Sequence, residues 1–470
     1  MTATLPVAVC PPLSLYIHVP WCVRKCPYCD FNSHAIKGEI PEHAYLNALL
    51  EDLDQDLGLV RERPIETVFI GGGTPSLMSG AFYHRLFERL RERLTFSPEA
   101  EITLEANPGT LETGRFESFR EAGINRLSIG VQSFDPAQLK TLGRIHDRAS
   151  AHSAIEAARK AGFDNFNVDL MHGLPDQTPS QALDDLQAAL SYQPRHLSWY
   201  QLTIEPNTEF FSRPPALPDD DRLWEIYQLG GDLLRQAGMD DYEVSAWSLP
   251  GAQSRHNLNY WTFGDYLALG AGGHGKVSLA DGRILRYWKT RQPDAYLNRI
   301  GSRTAGSEAI EPEDRPLEFM MNALRLKSGT DERLYGEHTG LPLSSIAVKL
   351  EQLRNENLIV PDRLQAIDTA IVQLSEFGSG RQTGAFIDGD AIGASFQGIA
   401  MQDERALGWS RVFWLTGVIG SVAFFRLAAG LMLALAPLAA GLLLFDATRG
   451  IFAGWMRGLV LALIGSVGAS

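Results

Sequence analysis

Short apolar runs recur through the first half of the chain, at residues 13–19, 67–71, 101–106, 127–131, 166–171 and 197–202. The intervals between them, at residues 41–58, 81–94, 111–122, 149–161, 181–190 and 219–236, carry apolar positions at helical spacing. Parallel strands need crossover connections, so strands alternating with helices predict a parallel sheet. Six consecutive units predict an α/β fold built on a partial (β/α)6 barrel over residues 1–240, with an open doubly wound sheet as the alternative. Residues 202–218, rich in Pro, Asn and Thr, read as a loop. Extended patterns at 242–247 and 267–279 predict an extension of the barrel over residues 241–310. An acidic linker at 311–315 precedes helical stretches at 317–326 and 343–354 and a short hairpin at 358–364. Together these predict a small winged-helix-like module over residues 311–365.

Beyond this the composition changes. Between residues 406 and 470 the only charged side chains are Arg411, Arg426, Asp446, Arg449 and Arg457. Residues 427–445 form an unbroken apolar run of nineteen, the length expected of a transmembrane helix. Residues 412–425 are a shorter apolar stretch. The expectation for residues 366–470 is an apolar helical tail able to contact a membrane through residues 412–445. The alternative is a buried hairpin, although a soluble helix of this length normally shows a polar face.

Charge narrows the partners. Forty-two Lys and Arg against 56 Asp and Glu leave a formal charge of −14, unfavourable for non-specific nucleic-acid binding. All four cysteines, Cys10, Cys22, Cys26 and Cys29, fall within the first 30 of 470 residues. That is no disulfide framework; it points to metal or cluster ligands in a reducing, cytoplasmic compartment. Three thiolates spaced C-x3-C-x2-C after the first strand can wrap a cubane cluster and leave one iron open. Zinc is the rival reading and would need a fourth ligand, from Cys10 or His34. Gly71-Gly72-Gly73-Thr74-Pro75 ends the second strand run, where consecutive glycines let a ligand approach the backbone closely. The segment from Gly270 to Gly275 matches G-x-G-x-x-G but precedes an extended pattern instead of a helix, so a dinucleotide site is rejected.

The cysteine segment resembles the radical S-adenosylmethionine (SAM) superfamily. That resemblance implies a [4Fe–4S] cluster on Cys22, Cys26 and Cys29, whose open iron chelates SAM and whose electron releases a 5′-deoxyadenosyl radical. It implies that Tyr28 lies against the adenine. Tyr16-Ile-His-Val-Pro, Leu104-Glu105-Ala-Asn-Pro, Gly130-Val-Gln132-Ser-Phe, Gly143-Arg144 and Asn167-Val-Asp169-Leu-Met-His-Gly173 resemble the oxygen-independent coproporphyrinogen oxidase family across about residues 13–365. Carried over from that family, Tyr16, Gly72 and Glu105 would contact the cluster-bound SAM. Gly73, Thr74, Gln132, Arg144 and Asp169 would form a second SAM site. From the residues alone, Arg144 and Asp169 could equally be a structural ion pair.

One position divides the family. The oxidases carry a further cysteine two residues after the third; here Phe31 stands there. Cys-Pro-Tyr-Cys-Asp-Phe-Asn-Ser-His resembles the heme-chaperone branch, as does His256-Asn-Leu-Asn-Tyr260-Trp261. The resemblance implies heme as a ligand, with His256 as the candidate iron ligand, a heme-acceptor protein and an electron donor as partners. Oxidative decarboxylation of coproporphyrinogen III is the alternative function. A chaperone role is expected over an enzymatic one, with SAM cleavage as a residual activity. Within the tail, residues 433–455 resemble TrbL-type conjugal-transfer membrane proteins, which implies an inner-membrane tether or, failing that, a fused gene fragment.

Overall fold

A computed structural model describes residues 10–108 and 115–355 of the chain. The predicted hairpin at 358–364 and the whole apolar tail from 366 to 470 lie outside the described residues. Six strands, β1 (Leu13–Val19), β2 (Ile65–Gly72), β3 (Phe96–Ala106), β4 (Arg126–Gln132), β5 (Phe166–His172) and β6 (His196–Gln201), lie side by side in chain order. All five pairings are parallel. The main crossovers are α1 (Glu42–Val60), α2 (Gly80–Arg91), α3 (Phe116–Glu121), the pair α4 (Pro136–Thr141) and α5 (Arg148–Lys160), and α6 (Pro179–Leu190). Right-handed crossovers between strands in sequential order put every helix on one face. This rules out the doubly wound alternative, which needs a reversal of strand order.

The alternation along each strand shows why. On β1, Leu13, Leu15, Ile17 and Val19 are at most 1% exposed and pack in the core with Leu46, Leu49 and Leu53 of α1. Burying a Leu or Ile side chain is worth roughly 1.5–3 kcal/mol. The residues between them, Ser14, Tyr16 and His18, point the other way. The same two-residue period puts Thr67, Glu101, Thr103, Glu105, Arg126, Ser128, Asn167, Asp169, His196 and Ser198 on the concave side. One face of the sheet is hydrocarbon and the other is polar.

Beyond β6, α7 (Glu209–Ser212) interrupts the predicted loop and α8 (Asp220–Gln236) follows. Strands β7 (Asp240–Glu243) and β8 (Ala246–Ser248) extend the β6 edge antiparallel. Helix α9 (Arg255–Trp261) leads into β9 (Asp265–Leu269), which pairs parallel to β1. Strands β10 (His274–Ser278), β11 (Ile284–Lys289) and β12 (Thr304–Ala309) continue that edge antiparallel and complete twelve strands. The predicted single extended run at 267–279 is therefore two strands. The chain reverses where Gly270 and Gly272 take φ of +96° and +83°. The strand after Gly273 confirms that the glycine run opens no helix.

Helices α10 (Pro293–Leu297), α11 (Arg315–Ala323) and α12 (Glu332–Thr339) complete a compact unit that runs to Leu343, past the boundary expected at 311. Buried Arg315 explains the continuity, since it donates to the carbonyls of Ile310, Gly282 and Thr339. A second unit starts at Ser344, and its described helix is α13 (Ala347–Asn355). Among the described residues, no helix is long and apolar enough to cross a membrane.

Candidate functional site: a thiol-lined cavity at the strand ends

A cavity of about 500 Å3 lies at the polar face of the sheet and is lined by residues from or adjoining all six parallel strands. Ligand sites of this architecture sit at the carboxyl ends of the strands. Here those ends deliver Cys22, Cys26 and Cys29 after β1, Gly72–Gly73–Thr74 after β2, Glu105 on β3, Gln132 and then Arg144 after β4, and Asp169 on β5.

The three thiols are free, and each has a polar neighbour. Thr74 Oγ1 donates to Cys22 Sγ at 3.6 Å, Arg144 Nη1 to Cys26 Sγ at 3.7 Å, and Ser33 Oγ lies 3.6 Å from Cys29 Sγ. Burial pushes the Cys22 thiol up. Among the described residues no three His, Cys, Asp or Glu side chains converge tightly enough for a single ion. Cys10 lines a different cavity, beside Arg63. The zinc reading thus lacks its fourth ligand from that residue, whereas three thiols spread round one cavity wall with donors behind them fit a larger cluster.

The glycine turn is tight for a reason. A Cβ on Gly72, at φ +114°, would lie 2.5 Å from the His18 ring, and one on Gly73 would lie 2.5 Å from the Trp21 carbonyl oxygen. Gly73 N–H donates to Val19 O at 2.7 Å and Thr74 N–H to Trp21 O at 2.7 Å, which stitches the turn to the cysteine loop. Gly72 N–H donates to Glu105 Oε2 at 3.1 Å. Burial, aided by the Asp169 charge, raises the Glu105 carboxyl to about 8.

Arg144 and Asp169 do not pair. Arg144 donates to Gly130 O at 2.7 Å and to Asn107 Oδ1, while Asp169 accepts from Ser128 Oγ at 2.8 Å and Asn167 Nδ2 at 2.7 Å. Burial raises the Asp169 carboxyl. Gln132 takes a left-handed φ of +70° and accepts from Tyr200 OH at 2.7 Å. The Tyr28 ring stands beside the cysteines, 6.4 Å from Phe210.

Two expected residues fall elsewhere. Tyr16 bonds through its hydroxyl to His18 Nδ1 at 2.9 Å and lines a neighbouring cavity. His256 lines neither cavity. It is 0% exposed, with Thr67 Oγ1 2.7 Å from Nδ1 and Tyr260 OH 2.9 Å from Nε2. Burial, helped by Arg126, lowers it to about 3. Both ring nitrogens are occupied inside the fold, so in this conformation His256 offers no lone pair to iron.

The site also holds residues to which the motifs assigned no role. Asn167 Oδ1 accepts from Ser198 N at 2.9 Å and lies 2.7 Å from His196 Nδ1, and its Nδ2 donates to Ser128 Oγ at 2.7 Å. Arg126, 2% exposed, lies 4.0 Å from Glu101 and leaves Nε and Nη2 without hydrogen bonds. The signal was the alternation itself: Arg-Leu-Ser-Ile-Gly, Asn-Val-Asp-Leu and His-Leu-Ser-Trp each carry a polar residue at every second position.

A parallel partial barrel with three thiols beyond its first strand and a glycine turn beyond its second defines a radical SAM fold, and the Radical SAM superfamily model matches residues 16–189. The heme chaperone HemW of Escherichia coli K12 is 53% identical over 342 residues, covering 73% of this chain and 90% of that protein. The HemW of Bacillus subtilis 168 is 33% identical over 356 residues, covering 74% and 92%. The chain belongs to the HemW family. Among solved structures, coproporphyrinogen III oxidase (HemN) of E. coli, a radical SAM enzyme, superposes with a TM-score of 0.63 at 24% identity, covering 74% of this chain and 84% of that one. This last likeness is one of fold.

Proposed function

We propose that this protein is a heme chaperone that holds a [4Fe–4S] cluster and SAM, binds heme and passes it to an acceptor protein. The observation that carries the reading is the 53% identity to a heme chaperone across 90% of that protein's length. The residues present fit the cluster. Cys22, Cys26 and Cys29 would hold three irons, and Thr74, Arg144 and Ser33 would donate to their sulfurs. When bound, the cluster supplies one electron to the sulfonium of SAM. Gly72 and Gly73 leave the backbone bare where a Cβ would close the cradle, and the carboxylates of Glu105 and Asp169 suit a cationic ligand. Gly73, Thr74, Gln132, Arg144 and Asp169 share this one cavity with the cluster cysteines. That supports SAM contacts at these positions, with Tyr28 as the aromatic wall.

Reduced thiols fit work in the cytoplasm, with an electron donor to charge the cluster. An inner-membrane tether through residues 412–445 is the finer form of this proposal. Phe31 puts a ring where the oxidases carry a thiol, so the proposal does not include coproporphyrinogen decarboxylation. Anaerobic reconstitution followed by hemin titration and a coproporphyrinogen assay tests it. Heme uptake without decarboxylation is expected, and efficient decarboxylation would refute the chaperone reading.

A further inference from the structure

A second cavity, of about 510 Å3, adjoins the thiol-lined one, and Phe31, Gly72 and Glu105 line both. Its volume falls within the roughly 300–1,000 Å3 usual for small-molecule sites. Its walls differ in kind from the first. Phe31, 61% exposed, stands on one side, and Tyr260 and Trp261 of α9 form part of the lining. Flat aromatic surface of this kind suits a planar macrocycle.

Two imidazoles line this cavity, His18 and His274. His18 is committed, with Tyr16 OH 2.9 Å from Nδ1 and Asn32 O 2.9 Å from Nε2. His274 is exposed at the start of β10 and stacks on Trp288 at 6.4 Å; no hydrogen bond occupies either of its nitrogens among the described residues. Partial desolvation beside the sheet and the neighbouring Arg291 and Arg286 lower its pKa, so the ring is neutral at physiological pH. Of the cations lining the cavity, Lys276 is spent on Asp265 and Arg286 on Glu318. Arg291 is exposed, and its guanidinium has no partner among the described residues. The buried Nε1 of Trp261 is also without a partner, a donor waiting for an acceptor. Asp30 and Glu105 are the acidic residues of the lining that a carboxylate ligand must avoid.

We propose that heme binds in this second cavity, with His274 as the axial ligand to iron and Arg291 as the counter-charge to a propionate. The proposal rests on the heme-chaperone reading and names its site. A neutral imidazole nitrogen gives its lone pair to iron with no proton to expel. His256 is then the bolt that fixes α9 beneath the cavity, while Tyr260 and Trp261 from the same motif face it. Heme and the cluster site share a wall, so heme would sit beside the SAM cavity without occupying it.

The test is an anaerobic hemin titration of the full cluster-loaded chain, followed as Soret difference spectra. His274 is exposed, so His274→Ala and His274→Gly leave the fold intact. His274→Ala is expected to shift the Soret band and weaken binding about tenfold or more, and free imidazole is expected to restore the wild-type spectrum in His274→Gly. Arg291→Glu is expected to weaken binding about tenfold without moving the band. Heme bound by wild type and His274→Ala with the same spectrum and affinity overturns this site but leaves the chaperone reading standing. Failure of wild type to bind hemin overturns both.

Discussion

Glu105 links the site to pH in a way that can be measured. Its carboxyl is buried beside Asp169 and titrates near 8, against an ordinary value of 4.5. At pH 6 about one molecule in a hundred then carries the charge, because each unit below the pKa reduces the ionised fraction about tenfold. If SAM is held through its permanently cationic sulfonium, only the ionised form makes the attractive contact. Affinity should therefore rise about ninefold from pH 6 to 7 and about fivefold from 7 to 8, and level off above. Near pH 6.5 binding should release close to one proton, read by calorimetry in buffers of different ionisation enthalpy. The ligand's own amine also titrates, so the informative quantity is the difference between wild type and Glu105→Gln, whose profile lacks the Glu105 component. Identical pH profiles for the two would refute the role of Glu105. The same shift has a sign for stability. A folded pKa above the unfolded one means the contribution is full below pH 4.5 and is lost as pH climbs through 8. The unliganded protein should thus lose stability across that window, and SAM should offset the loss.

Cys22→Ala, Cys26→Ala and Cys29→Ala should each abolish iron and sulfide uptake while Cys10→Ala retains both; cluster retention by Cys26→Ala would contradict the assignment. Gly72→Val should lower SAM affinity in equilibrium dialysis at least tenfold, since its Cβ would strike the His18 ring from a φ of +114°. Six buried histidines have lowered pKa values: His18 and His172 at about 4, His146 and His256 at about 3, and His196 and His338, all pushed down chiefly by burial. Unfolding lets them take protons at about 6.5, so their contribution should lower the melting temperature as pH drops below 6.5, most steeply near pH 5, and flatten toward 3 as the folded histidines also protonate. Removing the Thr67–His256–Tyr260 chain with His256→Ala should cost about 1–3 kcal/mol in denaturant titrations. If residues 427–445 anchor the chain, full-length protein should resist carbonate extraction, whereas a chain ending at residue 355 should not.

The barrel was legible because its signals are local. The apolar run at 13–19 and β1 coincide, and most strand and helix starts elsewhere agree to within a few residues, although α3 starts at Phe116 against an expected 111 and α4 had no counterpart in the expected helices. β3 starts at Phe96, five residues earlier than the expected run, because Phe96 pairs with Ile65 across an irregular register that Ser97-Pro98 conceals in the sequence. The cluster cysteines and glycine turn were legible because contiguous spacing carries them. The surroundings of His256 were not legible for the opposite reason. Spacing along α9 correctly groups it with Tyr260, but which side of the helix meets Thr67 on β2 depends on a pairing 189 residues apart. His274 was passed over inside a glycine run that drew attention to its backbone. Its value depends on Phe31 and Arg291, which only the tertiary fold brings beside it.

The polar concave face has a consequence for the life of the protein. A wall of Ser, Thr, Asn, Asp and Glu, with Arg126 leaving two nitrogens without hydrogen bonds, cannot collapse onto itself as hydrocarbon does, so without its cofactors the barrel has a core that is only half built. Cofactors supply the missing half. Each one bound stabilises the fold by RT ln(1 + [L]/Kd), about 2.7 kcal/mol when its concentration is a hundredfold above Kd. Protease resistance should therefore track cofactor supply. A cell short of iron or SAM should then hold less of the protein, because its unliganded form unfolds and is degraded more readily.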